Sequence, residues 1–221
     1  MAMPGIRPAA NPGAGSAFAT MARPCGCCPL MRPSLRRRAM LAAGMLAFDV
    51  AGSIFAAVAK EKPMTLTLTS KAFGLNDSIP SLYTCEGKDI SPPLAWSGAP
   101  GTTRSFALIV DDPDAPDPAA PKMTWVHWVL YNMTEDAAEL PEAVASSALP
   151  EGTREGINDW DRTGYGGPCP PIGRHRYFFK LYALDTVLPE LRRADKAALE
   201  KAMHGHILER AVLIGTYQKG R

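Results

Sequence analysis

The chain is poor in the features from which nucleic-acid readers, hydrolases and repeat proteins are built. No cluster of Lys and Arg interleaved with aromatics occurs, and the formal charge of +2 is unevenly divided. Residues 1–59 hold six Arg and one acid, Asp49, which leaves 18 basic against 21 acidic side chains in the remainder. A body without basic excess has little with which to neutralise a phosphate backbone, so no nucleic-acid partner is expected. Ser70, Ser91 and Ser97 lie outside any Gly-x-Ser-x-Gly elbow, and no other activated nucleophile is visible, so the chain is not expected to be an enzyme. It also lacks a His-x-x-x-His pair, an internal repeat, a heptad pattern and a long linker. Cysteine is scarce: three of the five crowd between Cys25 and Cys28 with no local His to complete a metal site, leaving Cys85 and Cys169 in the body. What is present is ordinary for one globular domain. The 221 residues are 46% hydrophobic and 21% charged, enough for a sizeable core, and Pro 21 with Gly 19 calls for many turns.

The amino end reads as an address rather than a fold. Residues 1–30, rich in Pro, Ala and Gly, fit neither a domain nor a signal, and are expected to be disordered or to precede the true start at Met31. Ser34-Leu35-Arg36-Arg37-Arg38 leads into an apolar stretch from Ala39 to Ala59, broken only by Asp49. A basic head, an apolar middle and the small-residue end Ala57-Val58-Ala59 predict a twin-arginine-like export signal over residues 31–59, cut before Lys60. No Cys follows the stretch, so a lipid-anchored form is not expected. Its length is near the minimum for a membrane span, which makes an uncleaved anchor the competing reading and the one membrane contact foreseen. Residues 60–221 are then expected to be a single domain, exported to the periplasm or secreted. Disulfides persist in such a setting, and a Cys85–Cys169 bridge would close a long loop; two separate buried thiols are the alternative.

Hydrophobic periodicity predicts strands more than helices. Residues 64–70 alternate Thr and Leu, and residues 105–110 form an apolar run ending in an acidic turn. Residues 126–133, 177–183 and 211–217 are similarly rich in Val, Ile, Leu and aromatics. Turn signals at 76–78, 86–89, 98–101 and 112–121 separate these runs. One good helix is predicted after Asp195, a capping residue, with Ala198, Leu199, Ala202, Met203 and Ile207 near one face. Residues 188–193 suggest a turn before it, and residues 135–140 a short helix. The expected fold is mainly β: an antiparallel β-sandwich with a few peripheral helices.

Three segments carry chemistry. Asp112 follows the apolar run and precedes Pro113, which removes a backbone donor and holds its predecessor extended or in a turn, while Asp114 reads as an Asx-turn residue. His127 opens a strand between Trp125 and Trp128, and by alternation shares the face of Trp125 and opposes Trp128. Alone it reads as a satisfied core histidine, but His175 also opens an aromatic strand after a Gly/Pro-rich loop.

Asp112-Pro113-Asp114-Ala115-Pro116, Trp125-Val126-His127-Trp128, Gly167-Pro168-Cys169-Pro170-Pro171 and His175-Arg176-Tyr177 resemble segments of the phosphatidylethanolamine-binding protein family. Tyr83-Thr84-Cys85-Glu86-Gly87 with Ile90-Ser91-Pro92-Pro93-Leu94 is similar to its bacterial and archaeal branch, the Raf kinase inhibitor-like proteins. The resemblance spans residues 64–221 and implies a β-sandwich with a small anion pocket at one end. Asp112, Trp125, His127, Gly167, Pro168, His175 and Tyr177 would line that pocket, with Pro116 shaping the loop. Two positions depart from the eukaryotic pattern: Lys122 stands where those members carry a pocket tyrosine, and their extended carboxyl-terminal helix has no counterpart after Tyr217.

In such a pocket two imidazoles can donate to an anion, and amides around Gly166 and Gly167 can approach it because glycine has no Cβ. Asp112 would repel an anion unless it orients an imidazole, accepts a ligand proton or meets a ligand ammonium; orienting an imidazole is the expected role. Phosphate affinity is then expected to rise as pH falls through the histidine range, near about 6.5. The expected partner is a small anion or a phosphorylated head group, with no cofactor and no indicated oligomeric state. A kinase or protease inhibitor docking its partner at the same mouth is the second reading. A metal-dependent hydrolase using the two histidines and the carboxylate is the third.

Overall fold

A computed structural model of the chain describes residues 65–220; the expectations for residues 1–30 and for the export signal at 31–59 lie outside the described residues. In chain order the strands are β1 (Thr67–Thr69), β2 (Leu94–Ser97), β3 (Ser105–Asp112), β4 (Trp125–Thr134), β5 (Glu139–Leu140), β6 (Arg154–Glu155), β7 (His175–Leu184) and β8 (Ile207–Tyr217). They form two sheets, one in the order β1-β2-β5 and one in the order β6-β4-β3-β7-β8, and all pairings are antiparallel. The expected antiparallel β-sandwich is present.

Apolar alternation explains how the sheets stack. Leu68, Leu94 and Trp96 of the smaller sheet pack against Phe106, Trp128 and Phe179 of the larger one, and burial of this layer at about 25 cal/mol per Å² is the main drive for the fold. The opposite face of the larger sheet is covered by α1 (Lys196–Met203), whose Leu199 and Met203 pack with Ile109, Val129 and Tyr131. Central β3 is therefore buried along its whole length. Asp195 caps α1 as expected, accepting from the Ala198 amide at 2.9 Å. Asp111, fully buried, fastens the first turn of α1 to the sheet by accepting from Lys196 Nζ at 2.6 Å and Lys180 Nζ at 2.7 Å.

Several local expectations are corrected. Among the described residues the peripheral helices are one α-helix and single 3-10 turns at Ser81–Tyr83 and Ser146–Ala148. Residues 135–140 are not helical, because Leu140 reaches the core as a strand residue paired with Leu94. β2 was not anticipated. Ile207 opens β8 instead of extending the helix face, since Gly205, at φ 84°, turns the chain after Met203.

Most relevant to function is a β-bulge. Val110 faces Trp128 and Asp111 faces Val126, so His127 is an extra residue in β4 with no partner in β3. Strict alternation therefore fails here. Trp128 joins the inter-sheet core with Tyr177, and the His127 ring also meets Tyr177, at 5.2 Å between centroids.

Candidate functional site

The site is built where β3 ends and where β4 and β7 begin. Antiparallel pairing sets Asp112 opposite Trp125, and the opening residues of β4 and β7 deliver His127, His175 and Tyr177 to the same end. Around them lies a cavity of about 340 Å³. Six of the residues anticipated from the sequence line it: Asp112, Pro116, Trp125, His127, His175 and Tyr177.

Asp112 and His175 form its floor as a dyad. His175 is fully buried, with Nδ1 2.7 Å from Asp112 Oδ2 and Nε2 3.0 Å from the Ile172 carbonyl oxygen. The carboxylate orients an imidazole, as expected. Both ring nitrogens face protein acceptors, however, so His175 has no nitrogen left for a ligand, and the expectation of two donating imidazoles is corrected. The other oxygen, Asp112 Oδ1, accepts from the Asp114 amide at 2.8 Å, so Asp112 and not Asp114 closes the Asx turn. Asp114 instead takes Arg176 through Nη2 at 2.6 Å, Nε at 2.9 Å and the backbone amide at 2.9 Å. The Arg176 hydrogen bonds hold its carboxyl below the usual carboxylate range, against the effect of burial.

His127 is held differently. Its Nδ1 donates to the Gly166 carbonyl at 2.7 Å, and its ring meets Trp160 and Tyr177 edge to face at 5.1 and 5.2 Å. Burial pushes its pKa below the ordinary histidine value, with the Gly166 bond and the charges of Asp112, Asp111 and Asp159 acting the other way. The Tyr177 hydroxyl is buried close to the Asp112 carboxylate without a well-formed hydrogen bond, and Trp125 has a buried indole N–H with no partner among the described residues. Burial, with the nearby Asp112 charge, raises the Tyr177 phenol well above its ordinary value, so it remains a donor.

Gly167 and Pro168 stand behind the wall and do not line the cavity. The Gly167 amide donates to Asp89 Oδ1 at 2.6 Å, the Gly166 amide to the His127 carbonyl at 3.0 Å, and Pro168 accepts from the Cys85 amide at 3.1 Å. Both glycine amides are thus committed to the protein, which corrects the expectation that they meet an anion. The absence of a Cβ is still required at Gly167, where one would come within 2.4 Å of the Tyr83 oxygen. Cys85 and Cys169 are joined, with Cα atoms 5.4 Å apart, so the pair is disulfide-capable and ties the 84–89 turn to the wall.

A profile described as Phosphatidylethanolamine-binding protein matches residues 69–218, which contain every residue of this site. The chain belongs to that family. A UPF0098 protein of Methanothermobacter thermautotrophicus is 50% identical over 156 residues, spanning 70% of this chain and 100% of the relative. One from Chlamydia muridarum is 44% identical over 154 residues, covering 70% of this chain and 99% of its own. Among solved structures, a phosphatidylethanolamine-binding protein homolog of Chlamydia trachomatis matches with a TM-score of 0.65 at 40% identity, over 71% of this chain and 99% of that one. Escherichia coli YbcL, described as a member of the mammalian family, matches with a TM-score of 0.64 at 31% identity, over 70% and 99%.

Within this family member, six lining residues were not predicted to face the cavity: Ala115, Met123, Trp160, Cys169, Pro170 and Pro171. Trp160 is presented by a loop that Asn158 folds, its Oδ1 accepting from the Trp160 amide at 3.0 Å and its Nδ2 donating to the Gly164 carbonyl at 3.0 Å. A lone Trp in an Asn-Asp-Trp-Asp turn was the available signal. Ala115 and Met123 also line the cavity. Lys122 does not line it; its amide and that of Met123 both donate to the Ala115 carbonyl, at 2.9 and 3.2 Å, and Met123 is the one of the two that lines the cavity. Cys169, Pro170 and Pro171 complete the wall. Among the described residues, no group of three or more His, Cys, Asp or Glu is arranged to hold a metal ion.

Proposed function

We propose that this family member is an exported, non-catalytic binding module that takes a small oxyanion, free or as the phosphoryl head of an ester, into the cavity at the sheet end. The observation that carries this reading is a pair of buried donors on residues that line the cavity: Trp125 Nε1, with no partner among the described residues, and the Tyr177 hydroxyl, which lies near the Asp112 carboxylate but makes no well-formed bond to it. A buried polar group without a partner costs about 1–3 kcal/mol, and a ligand oxygen that pairs with it relieves that penalty. The apolar surround of Pro116, Pro170 and Pro171 makes each such bond stronger than it would be in water. At about 340 Å³ the space suits a head group rather than a large molecule. The leader at 31–59 and the paired cysteines support export.

Calorimetric titration of the full chain with inorganic phosphate tests this reading. Tyr177→Phe, which removes one donor, is expected to weaken binding about fivefold, the equivalent of about 1 kcal/mol. Unaltered affinity in that variant refutes the assignment, and amino-terminal sequencing of the mature protein, expected to begin at Lys60, tests export.

A further inference from the structure

β8 is an edge strand of the larger sheet, and only part of that edge is covered. Residues 76–79 run beside its carboxyl-terminal half: the Asn76 amide donates to the Ile214 carbonyl at 2.7 Å, the Ile79 amide to the Thr216 carbonyl at 2.8 Å, and the Thr216 amide to the Asp77 carbonyl at 2.8 Å. These groups of Ile214 and Thr216 therefore point away from β7. Pairing with β7 runs without a shift from Tyr217 to Glu209, so by strand alternation Arg210 and Val212 turn their amides and carbonyls the same way. No backbone group among the described residues bonds them there.

The side chains of the open stretch restrict what can lie against it. Ile207 and Leu208 are exposed and Val212 is half-buried, an apolar border to the bare backbone. Arg210, opposite Tyr182 of β7, is exposed and has no carboxylate within ion-pair distance among the described residues. A second copy fits poorly. A two-fold axis centred on Glu209 or Arg210 would set two carboxylates or two guanidinium groups directly opposite each other, and a register moved toward Ile214 would meet residues 76–79.

We propose that the open half of β8 takes an extended segment of another protein as an added strand, with a carboxylate opposite Arg210 and, two residues away on the same face, an aliphatic side chain opposite Val212. The bare amides and carbonyls supply the main-chain bonds, and Arg210 with Val212 selects the sequence. Residues 76–79 already occupy the neighbouring stretch of the same edge in this way.

Hydrogen exchange of the full chain, followed by NMR, tests this with two acetylated peptides: Thr-Val-Thr-Glu-Thr-Val-Thr and its counterpart with Lys in place of Glu. Without peptide, the Arg210 and Val212 amides are expected to exchange faster than those of Ala211 and Leu213, which the β7 ladder holds. The Glu peptide is expected to slow exchange at 210 and 212 and to bind about fivefold more tightly than the Lys peptide, an order that Arg210→Glu should reverse. Val212→Pro removes an outward donor without touching the β7 ladder and should abolish binding, with a thermal melt to show that the fold is kept. If that variant does not fold, the charge reversal decides alone. Equal affinity for the two peptides, an order unchanged by Arg210→Glu, or no binding of either overturns the inference. So does sedimentation of the protein as a dimer that Arg210→Glu abolishes, which would assign the edge to a second copy.

Discussion

Replacing Asp112 separates the two ways in which a buried dyad can be held. Asp112→Ala strands the Asp114 amide, now bonded at 2.8 Å, and His175 Nδ1, now bonded at 2.7 Å. His175 has no solvent exposure and the Asp112 side chain 5%, so water cannot substitute for the lost carboxylate. Each stranded group costs about 1–3 kcal/mol, and the sum, about 2–6 kcal/mol, brackets the about 3–5 kcal/mol lost when one partner of a buried pair is removed. Asp112→Asn keeps the shape and the pairing. Its oxygen accepts from the Asp114 amide, its NH2 donates to His175 Nδ1, and the remaining ring N–H serves the Ile172 carbonyl. Only the charge-assisted part of the bond is lost, about 1 kcal/mol. Urea unfolding followed by tryptophan fluorescence reads both variants, with Trp125 and Trp160 in the cavity wall as local reporters. Equal destabilisation by Asn and Ala would refute the reasoning, because it would mean that charge rather than hydrogen-bond complement holds His175.

Three further outcomes are expected. Asp114, held below the usual carboxylate range chiefly by Arg176, contributes stability that is present above its unfolded value near about 3.9 and is lost as pH falls through the lower folded value. Asp114→Asn should therefore destabilise by about 1 kcal/mol at neutral pH, a modest figure because Arg176 is solvent-screened, and the difference should disappear in strong acid when urea midpoints are compared. Gly167→Ala would place a Cβ 2.5 Å from Asp89 Oδ1, so thermal melts should show a loss of about 2 kcal/mol, accompanied by weaker phosphate binding. Peptide mapping without reductant should recover Cys85 linked to Cys169, and replacing both by Ser should remove about 4 kcal/mol in the chain-entropy account of a bridge spanning 84 positions.

The strands that bury apolar runs were legible without coordinates: β3, β4, β7 and β8 follow the Val, Ile, Leu and aromatic content of their segments. β2 and β5 were not. Four residues after a Pro pair and two residues after an Ala pair are too short to show a period, and they become strands through long-range pairing with each other. At the site, Asp112, His127, His175 and Tyr177 were legible as residue types beside turns. That His175 has both ring nitrogens engaged and His127 only Nδ1 was not legible, because it depends on carbonyls brought in from Ile172 and Gly166. For the same reason the Gly166 and Gly167 amides looked available in one dimension and are committed in three.

The bulge in β4 makes His127 supernumerary: the ladder to β3 passes directly from Val126 to Trp128 and is complete without it. The imidazole that lines the cavity is thereby set outside the β3–β4 ladder and fastened instead to Gly166. A substitution at position 127 leaves the neighbouring rungs aligned, whereas deleting that residue would close the bulge, straighten the strand and withdraw the ring from the cavity wall.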